Sequence, residues 1–184
     1  LEFQLAEIEY FFDPQNTDWK NLFKTWQESM WEFATQVLGV NEKDLRWRQH
    51  TDKERSHYSL DTWDMEYNYP FGFKELWGIA YRTDFDLAQH EKHSGKDLKW
   101  VDSSNGRKFL PHVIEPALGL NRALFMVLQN AYWQDEENNR LVLKLDPKLA
   151  PNQVAVFPLL KNRPELVEKA QSIFDSLKTK YRVA

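Results

Sequence analysis

The chain has 184 residues, 42% of them hydrophobic, with eight Trp, twelve Phe and seven Tyr, enough for one good-sized core or one core and part of another. A formal net charge of −4 excludes a generally basic nucleic-acid binder, although basic residues gathered on one face would still serve a nucleic acid. No cysteine occurs, which excludes disulfides and thiolate metal sites and fits a reducing cytoplasm, and no apolar run approaches the ~20 residues of a membrane span.

Residues 1–12 alternate, with Phe3, Leu5, Ile8 and Tyr10 among acids, and predict a strand that Pro14 ends. Trp19, Leu22, Phe23 and Trp26, then Met30 to Leu38, have helical spacing, and Gly39 suits the helix end. Residues 45–48 read as a short strand and 63–69 as a cleanly alternating one; 69–73 form a turn, and 76–81 a buried strand. A short helix is expected over 84–93, extended chain over 113–120, and a helix over 121–132. Residues 135–139 read as a solvated loop, 141–145 as a strand and 147–151 as a Pro-containing linker. Residues 154–159 form a fresh apolar strand, Pro164 opens a helix, and 182–184 begin another strand, a β–α–β start that implies a parallel sheet. His90 and His93 sit at helical spacing, but no Cys or third ligand is near enough in sequence to suggest a structural metal.

The most informative stretch is Glu115-Pro-Ala-Leu-Gly-Leu-Asn-Arg122, followed at once by the apolar run Ala123-Leu-Phe-Met-Val-Leu128. Gly119 lets backbone approach a ligand closely, and Arg122 falls in the first turn of the predicted helix, where N–H groups and the dipole favour anions. A guanidinium pairs with phosphate or stacks on a ring, and Glu115 supplies the opposite charge. Such a segment suits an ammonium group and a nucleotide held side by side. No Gly-rich phosphate loop, nucleophile elbow or dinucleotide fingerprint is present.

This segment resembles motif 3 of the class II aminoacyl-tRNA synthetases, and its surroundings resemble the glycyl-tRNA synthetases of the homodimeric type. The blocks that carry the resemblance are Glu2-Phe-Gln-Leu-Ala-Glu-Ile-Glu9, Ser56-His-Tyr-Ser59, Tyr69-Pro-Phe-Gly72, Glu75-Leu-Trp-Gly-Ile-Ala-Tyr-Arg-Thr-Asp-Phe-Asp-Leu87, His93-Ser-Gly95, Pro111-His-Val-Ile-Glu-Pro116 and Leu149-Ala-Pro-Asn-Gln-Val-Ala-Val-Phe-Pro158. The resemblance implies an α+β fold: a class II synthetase-like antiparallel sheet flanked by helices, then an incomplete α/β anticodon-binding domain. Residues 1–146 would run from the end of motif 2 to motif 3, and 147–184 would open the anticodon-binding domain, so that both ends look cut.

By resemblance, Glu7, Arg82, Glu115, Ala117 and Gly119 would hold glycine, with the two acids near the amine and Arg82 near the carboxylate. Glu75, Leu76, Gly119, Leu120, Asn121 and Arg122 would contact ATP, Arg122 and Glu75 would carry the chemistry, and Glu75 would reach Mg²⁺ through the phosphates. The implied activity is cytoplasmic glycine–tRNA ligation using ATP and Mg²⁺, by a homodimer that takes glycine and tRNA(Gly). Taken without the resemblance, Arg82 reads equally as a structural ion pair with Asp84 or Asp86, and Glu7 as the polar side of an amphipathic strand. The sequence departs from the family at Ala117, where a Ser is usual, and at Leu1, where an Arg is usual. The competing reading is a non-catalytic synthetase-like module that binds nucleic acid or a protein partner.

Overall fold

A computed structural model describes residues 4–184. It is an α+β structure of two compact units, one reaching to Asn130 and the other running from Ala131 to Ala184. The first unit is built on a six-stranded antiparallel sheet. Its members are β1 (Leu5–Glu7), β2 (Tyr10–Phe12), β3 (Leu45–Gln49), β4 (Asp61–Tyr69), β5 (Gly72–Thr83) and β8 (His112–Gly119), in the order β1-β8-β5-β4-β3 with β2 also on β8. The expected strand over 1–12 is divided in two. Its two halves keep one register against β8, Glu7 opposite Ala117 and Tyr10 opposite Ile114. The gap falls opposite Pro116, which has no N–H for the ladder, although Ile8 N still donates to its carbonyl at 3.0 Å.

Residues paired across antiparallel strands project to the same side, so the registers sort the sheet into two faces. One face carries Leu45, Trp47, Met65, Tyr67, Tyr69, Trp77, Ile79, Tyr81 and Ile114. Helix α1 (Trp19–Glu32) covers it, because Trp19, Leu22, Phe23, Trp26 and Met30 form one stripe. Trp19 stacks on Tyr81 with centroids 4.5 Å apart, and Trp26 meets Tyr10 edge-on at 5.5 Å. Asp18 caps the start, accepting from Lys20 N and Asn21 N. A π turn over Phe33–Val37 then brings Phe33 onto Trp77, and Gly39, at φ +72°, ends the run as Val40 N donates to the Ala34 carbonyl. Met65, Leu76 and Met126 are wholly buried in this layer, each contributing about 1.5–3 kcal/mol of transfer free energy.

The tight β4–β5 turn falls at Pro70–Phe71, as the sequence suggested. Helix α2 (Phe85–Ser94) follows β5 and ends on Gly95 in the left-handed region. A hairpin of β6 (Trp100–Val101) and β7 (Lys108–Phe109) was not anticipated; Arg107 ties it back by pairing with Asp13 and donating to Gln15 Oε1 at 2.8 Å. Helix α3 (Leu120–Ala131) leaves the end of β8 directly.

In the second unit, β9 (Tyr132–Asp135) and β10 (Arg140–Leu143) pair through a turn at 136–139. Two expectations are corrected here. Asp135 belongs to β9 and is buried, not part of a solvated loop, because Asn138 and Arg140 donate to its carboxylate. Residues 154–159 form no continuous strand: Val154 makes one parallel bridge to Val183, while Phe157 and Leu159 are 81% and 87% exposed. A strand needs a ladder along its length, and only the Val183 end supplies one. Helix α4 (Pro164–Leu177) starts with Pro in its first turn as expected, and Arg182 clasps the linker by donating to the carbonyls of Lys148 and Ala150.

Candidate functional site

The other face of the sheet is polar, and Glu7, Glu75, Glu115 and Ala117 of the sequence-predicted site share it, while Leu76 is buried in the core. Glu7 lies opposite Ala117, Ala117 opposite Gly78, and Glu115 opposite Ala80. Asp64 lies opposite Gly78 and Glu66 opposite Glu75. The charged side chains therefore surround a floor of the small residues Gly78, Ala80 and Ala117.

Two bulges re-aim this face. Leu76 is the extra residue between the Met65–Trp77 and Glu66–Glu75 pairs, and Arg82 the extra one between Tyr81–Ile114 and Thr83–Val113. Thr83 sits at φ +56°, a left-handed conformation that a β-branched residue adopts only under constraint. The guanidinium of Arg82 is thereby set between two carboxylates. It makes a bidentate pair with Asp86 of α2, Nε to Oδ2 at 2.7 Å and Nη2 to Oδ1 at 3.0 Å, and a third bond from Nη1 to Glu115 Oε2. The Tyr58 ring lies 4.4 Å beneath it. The structural pairing with Asp86 that the spacing offered is therefore present, and the same guanidinium also reaches Glu115.

Charge balance differs between the two acids. The hydrogen bonds from Arg82 hold Asp86 below the usual carboxylate range. Burial pushes Glu115 up, Arg82 pulls against it, and Glu9 and Glu7 push with burial. Arg82 itself is held firmly protonated, first by Asp86, against the cost of burial. Glu9, opposite Glu115 in the continuous β1–β2 register, is a residue that sequence reasoning passed over. The signal was present, since Glu7 and Glu9 share parity on one strand.

A second centre lies at the hairpin end of the sheet, where Glu75 projects from the polar side of β5 and Tyr69 and Lys74 from the other. Arg122 Nη1 pairs with Glu75 Oε1 at 2.8 Å. The two line a cleft of about 480 Å³ with Tyr69, Phe71, Lys74, Asn121 and Phe125. Tyr69 stacks nearly parallel with Phe71 at 5.2 Å and with Phe125 at 5.7 Å, giving an aromatic wall beside a basic rim. Leu76 is fully buried, so only its backbone can face a ligand. The start of α3 is less open than expected, because Leu120 N donates to the Gln4 carbonyl and Asn121 Oδ1 accepts from Gln4 N. Gly119 closes β8 opposite Leu5. Leu1 lies outside the described residues.

The two centres are not one pocket. Glu75 and Arg82 are separated by roughly 20 Å of strand β5, at ~3.3 Å per residue. They are two acid–arginine pairs on one sheet face, suited to an elongated ligand with a dipolar end and an aromatic, anionic end. Among the described residues no three His, Asp or Glu side chains are grouped to hold a metal ion, His90 and His93 included, and no helix is long and apolar enough to cross a membrane.

Beyond the two centres, β3 and β4 carry a network that sequence reasoning also missed. Arg46 Nε donates to Glu66 Oε2 at 2.7 Å, Arg48 Nε to Glu66 Oε1 at 3.1 Å, and Arg48 Nη2 to Asp64 Oδ2 at 2.8 Å. His50 Nε2 also bonds Asp64 Oδ2 at 2.8 Å. The alternation of Arg46 with Arg48 and of Asp64 with Glu66 was legible, but their pairing needed the strand register.

The chain is thus an antiparallel sheet with a helix-covered apolar face and a polar face that carries paired acids and arginines. Comparison with known proteins narrows this. Over 98% of its length the chain is 43% identical to the glycine–tRNA ligase of Caldanaerobacter subterraneus subsp. tengcongensis, 38% of whose length it covers. It is 40% identical to that of Clostridium acetobutylicum and 42% to that of Staphylococcus haemolyticus, in each case over 99% of the chain and 39% of the relative. The chain is therefore related along its whole length to the glycine–tRNA ligases and spans about two fifths of theirs. Profiles of known protein families give no match.

Proposed function

We propose that this chain carries the amino-acid- and ATP-binding face of a class II glycine–tRNA ligase. The reading rests on one observation: the residues that the motif resemblance assigns to glycine and to ATP form two acid–arginine pairs, Arg82–Glu115 and Glu75–Arg122, on the same face of one sheet.

The chemistry requires no covalent nucleophile. A glycine carboxylate oxygen attacks the α-phosphorus of ATP, pyrophosphate leaves, and glycyl-adenylate remains for transfer to the 3′ end of tRNA(Gly). Catalysis is positioning and charge neutralisation. The zwitterion inserts between Arg82 and Glu115: the guanidinium takes the carboxylate, while Glu115 and Glu7 take the amine. One internal ion pair is exchanged for two with the ligand. The methyl of Ala117 replaces a hydroxyl on the floor, so the amine relies on the carboxylates. Gly119 marks the passage from the glycine side to the nucleotide side.

At the other centre, Arg122 covers the adenine, and Phe71, Tyr69 and Phe125 supply aromatic surface. The bulge frees the backbone of Leu76 from the ladder, and Leu120 and Asn121 bring the start of α3 to the nucleotide. Glu75 supplies the single carboxylate that a phosphate-bound Mg²⁺ commonly takes from protein; the ion itself would neutralise phosphate charge. Selection of glycine would need a pocket with no room past the α-carbon, and no smaller amino acid exists to be misread. In the same reading residues 147–184 open an anticodon-binding domain, and the natural protein works as a cytoplasmic homodimer. A non-catalytic module would have no need of both ion pairs at ligand-binding positions.

The test is amino-acid-dependent exchange of labelled pyrophosphate into ATP by the protein at its natural length, with each of the twenty amino acids in turn. Exchange with glycine alone is expected. Exchange absent with glycine, or equal with alanine, would overturn the reading.

A further inference from the structure

We infer that Asp64, to which no role is assigned above, is a third carboxylate for the substrate amine, presented through the gap left by Gly78. The inference rests on the glycine-binding reading of this face and adds a residue to it.

Asp64 is more than nine-tenths buried, yet all its hydrogen bonds fall on one oxygen. Oδ2 accepts from Arg48 Nη2 and is bonded by His50 Nε2, both at 2.8 Å, while Oδ1 has no partner. Oδ1 is not among the side-chain atoms shut away from solvent, so it stays free to accept from a ligand. Oδ1 lies toward Gly78: a Cβ built there would be 3.8 Å away from it. No other side-chain atom lies within 4 Å of that position, and Gly78 is not in a left-handed conformation. Nothing in the fold therefore requires glycine at the middle of β5, where it weakens the strand by roughly 0.5–1 kcal/mol relative to alanine.

The open oxygen and the missing side chain fit one reading. Without a Cβ at Gly78, Oδ1 overlooks the small-residue floor directly. Ala117 is the next residue across the ladder, and Glu7 the one after it. A primary ammonium seated there meets Asp64 on one side and Glu7 on the other, with Glu115 one step along β8. Arg48 and His50 keep the Asp64 carboxylate fixed by its far oxygen, so that binding does not have to order it.

The experiment is steady-state pyrophosphate exchange by the natural-length protein carrying D64N or G78A, with KM for glycine and for ATP measured separately and Tm recorded. D64N should raise KM for glycine about tenfold, the worth of one charge-assisted bond, and leave KM for ATP unchanged. G78A keeps Asp64 and its bonds to Arg48 and His50, and places a methyl group over Oδ1. It should fold with a Tm at or above the parent's and raise KM for glycine to a similar extent, and the double variant D64N/G78A should raise it no further than either alone, which obstruction of the floor independent of Asp64 would not produce. Should D64N fail to fold, D64S takes its place in the comparison. A folded G78A with KM for glycine within twofold of the parent overturns the inference while leaving the glycine-ligase reading standing. A parent without glycine-dependent exchange removes both.

Discussion

His112 shows how a single side chain on β8 couples packing to pH. Its Nδ1 shares a 2.5 Å hydrogen bond with Tyr81 Oη, and its ring meets Phe12 edge-on at 6.0 Å. Burial lowers its pKa from the ordinary 6.5, and the charge of Asp84 only partly opposes this. The unfolded chain therefore takes up a proton more readily than the folded one. The stability contributed by neutral His112 is fully present above the unfolded value and is lost as pH falls through the folded value. Urea unfolding followed from about pH 7 to about pH 5 should show the unfolding free energy falling, and H112Q should flatten that slope. An equal slope in the variant would contradict the assignment. At this scale the sequence was informative where charge and motif coincide. Arg82 and Asp86 are four residues apart on the way into α2, so their pair was legible by spacing. Glu115 is 33 residues from Arg82, and only the motif, not spacing, linked them. Asp64 and Arg48 were invisible as partners, because neither residue signals a register that sets it opposite the other.

Among elements, β5 is where local preference and site geometry conflict. It is bulged at Leu76 and at Arg82, and its last residue, Thr83, occupies left-handed backbone. A β-branched residue there stores about 1–3 kcal/mol, while glycine adopts it freely. T83G should raise the unfolding free energy by about 1 kcal/mol, read from the midpoint of denaturant unfolding. Destabilisation of similar size would show that the turn is not strained. Long patterned elements were readable: the stripe of α1, the alternation of β4 and the Pro164 start of α4 all follow from residue spacing. The β6–β7 hairpin was not, since two-residue strands have no period and depend on Arg107 gripping Asp13 and Gln15. Residues 154–159 misled for the opposite reason. Their apolar run is strand-like in isolation, but pairing is supplied by a neighbour, and Val183 alone meets Val154.

For the molecule as a whole, the governing feature is the division of the sheet into an apolar face under α1 and a polar face with two acid–arginine pairs. On the reading proposed above neither pair alone would support adenylate formation: Arg82 and Glu115 would take the amino acid, Glu75 and Arg122 the nucleotide. The account requires both to grip one molecule. The direct measurement is titration calorimetry of the natural-length protein with glycyl-sulfamoyl-adenosine, a non-reacting mimic of glycyl-adenylate. Comparing the parent with R82A and R122A, the first should weaken binding on the order of 100-fold, the loss expected when a largely buried charge pair is truncated, and the second, whose pair is more exposed, on the order of 10-fold. Binding of parental affinity by either variant would contradict the account, because that centre would then hold no part of the ligand.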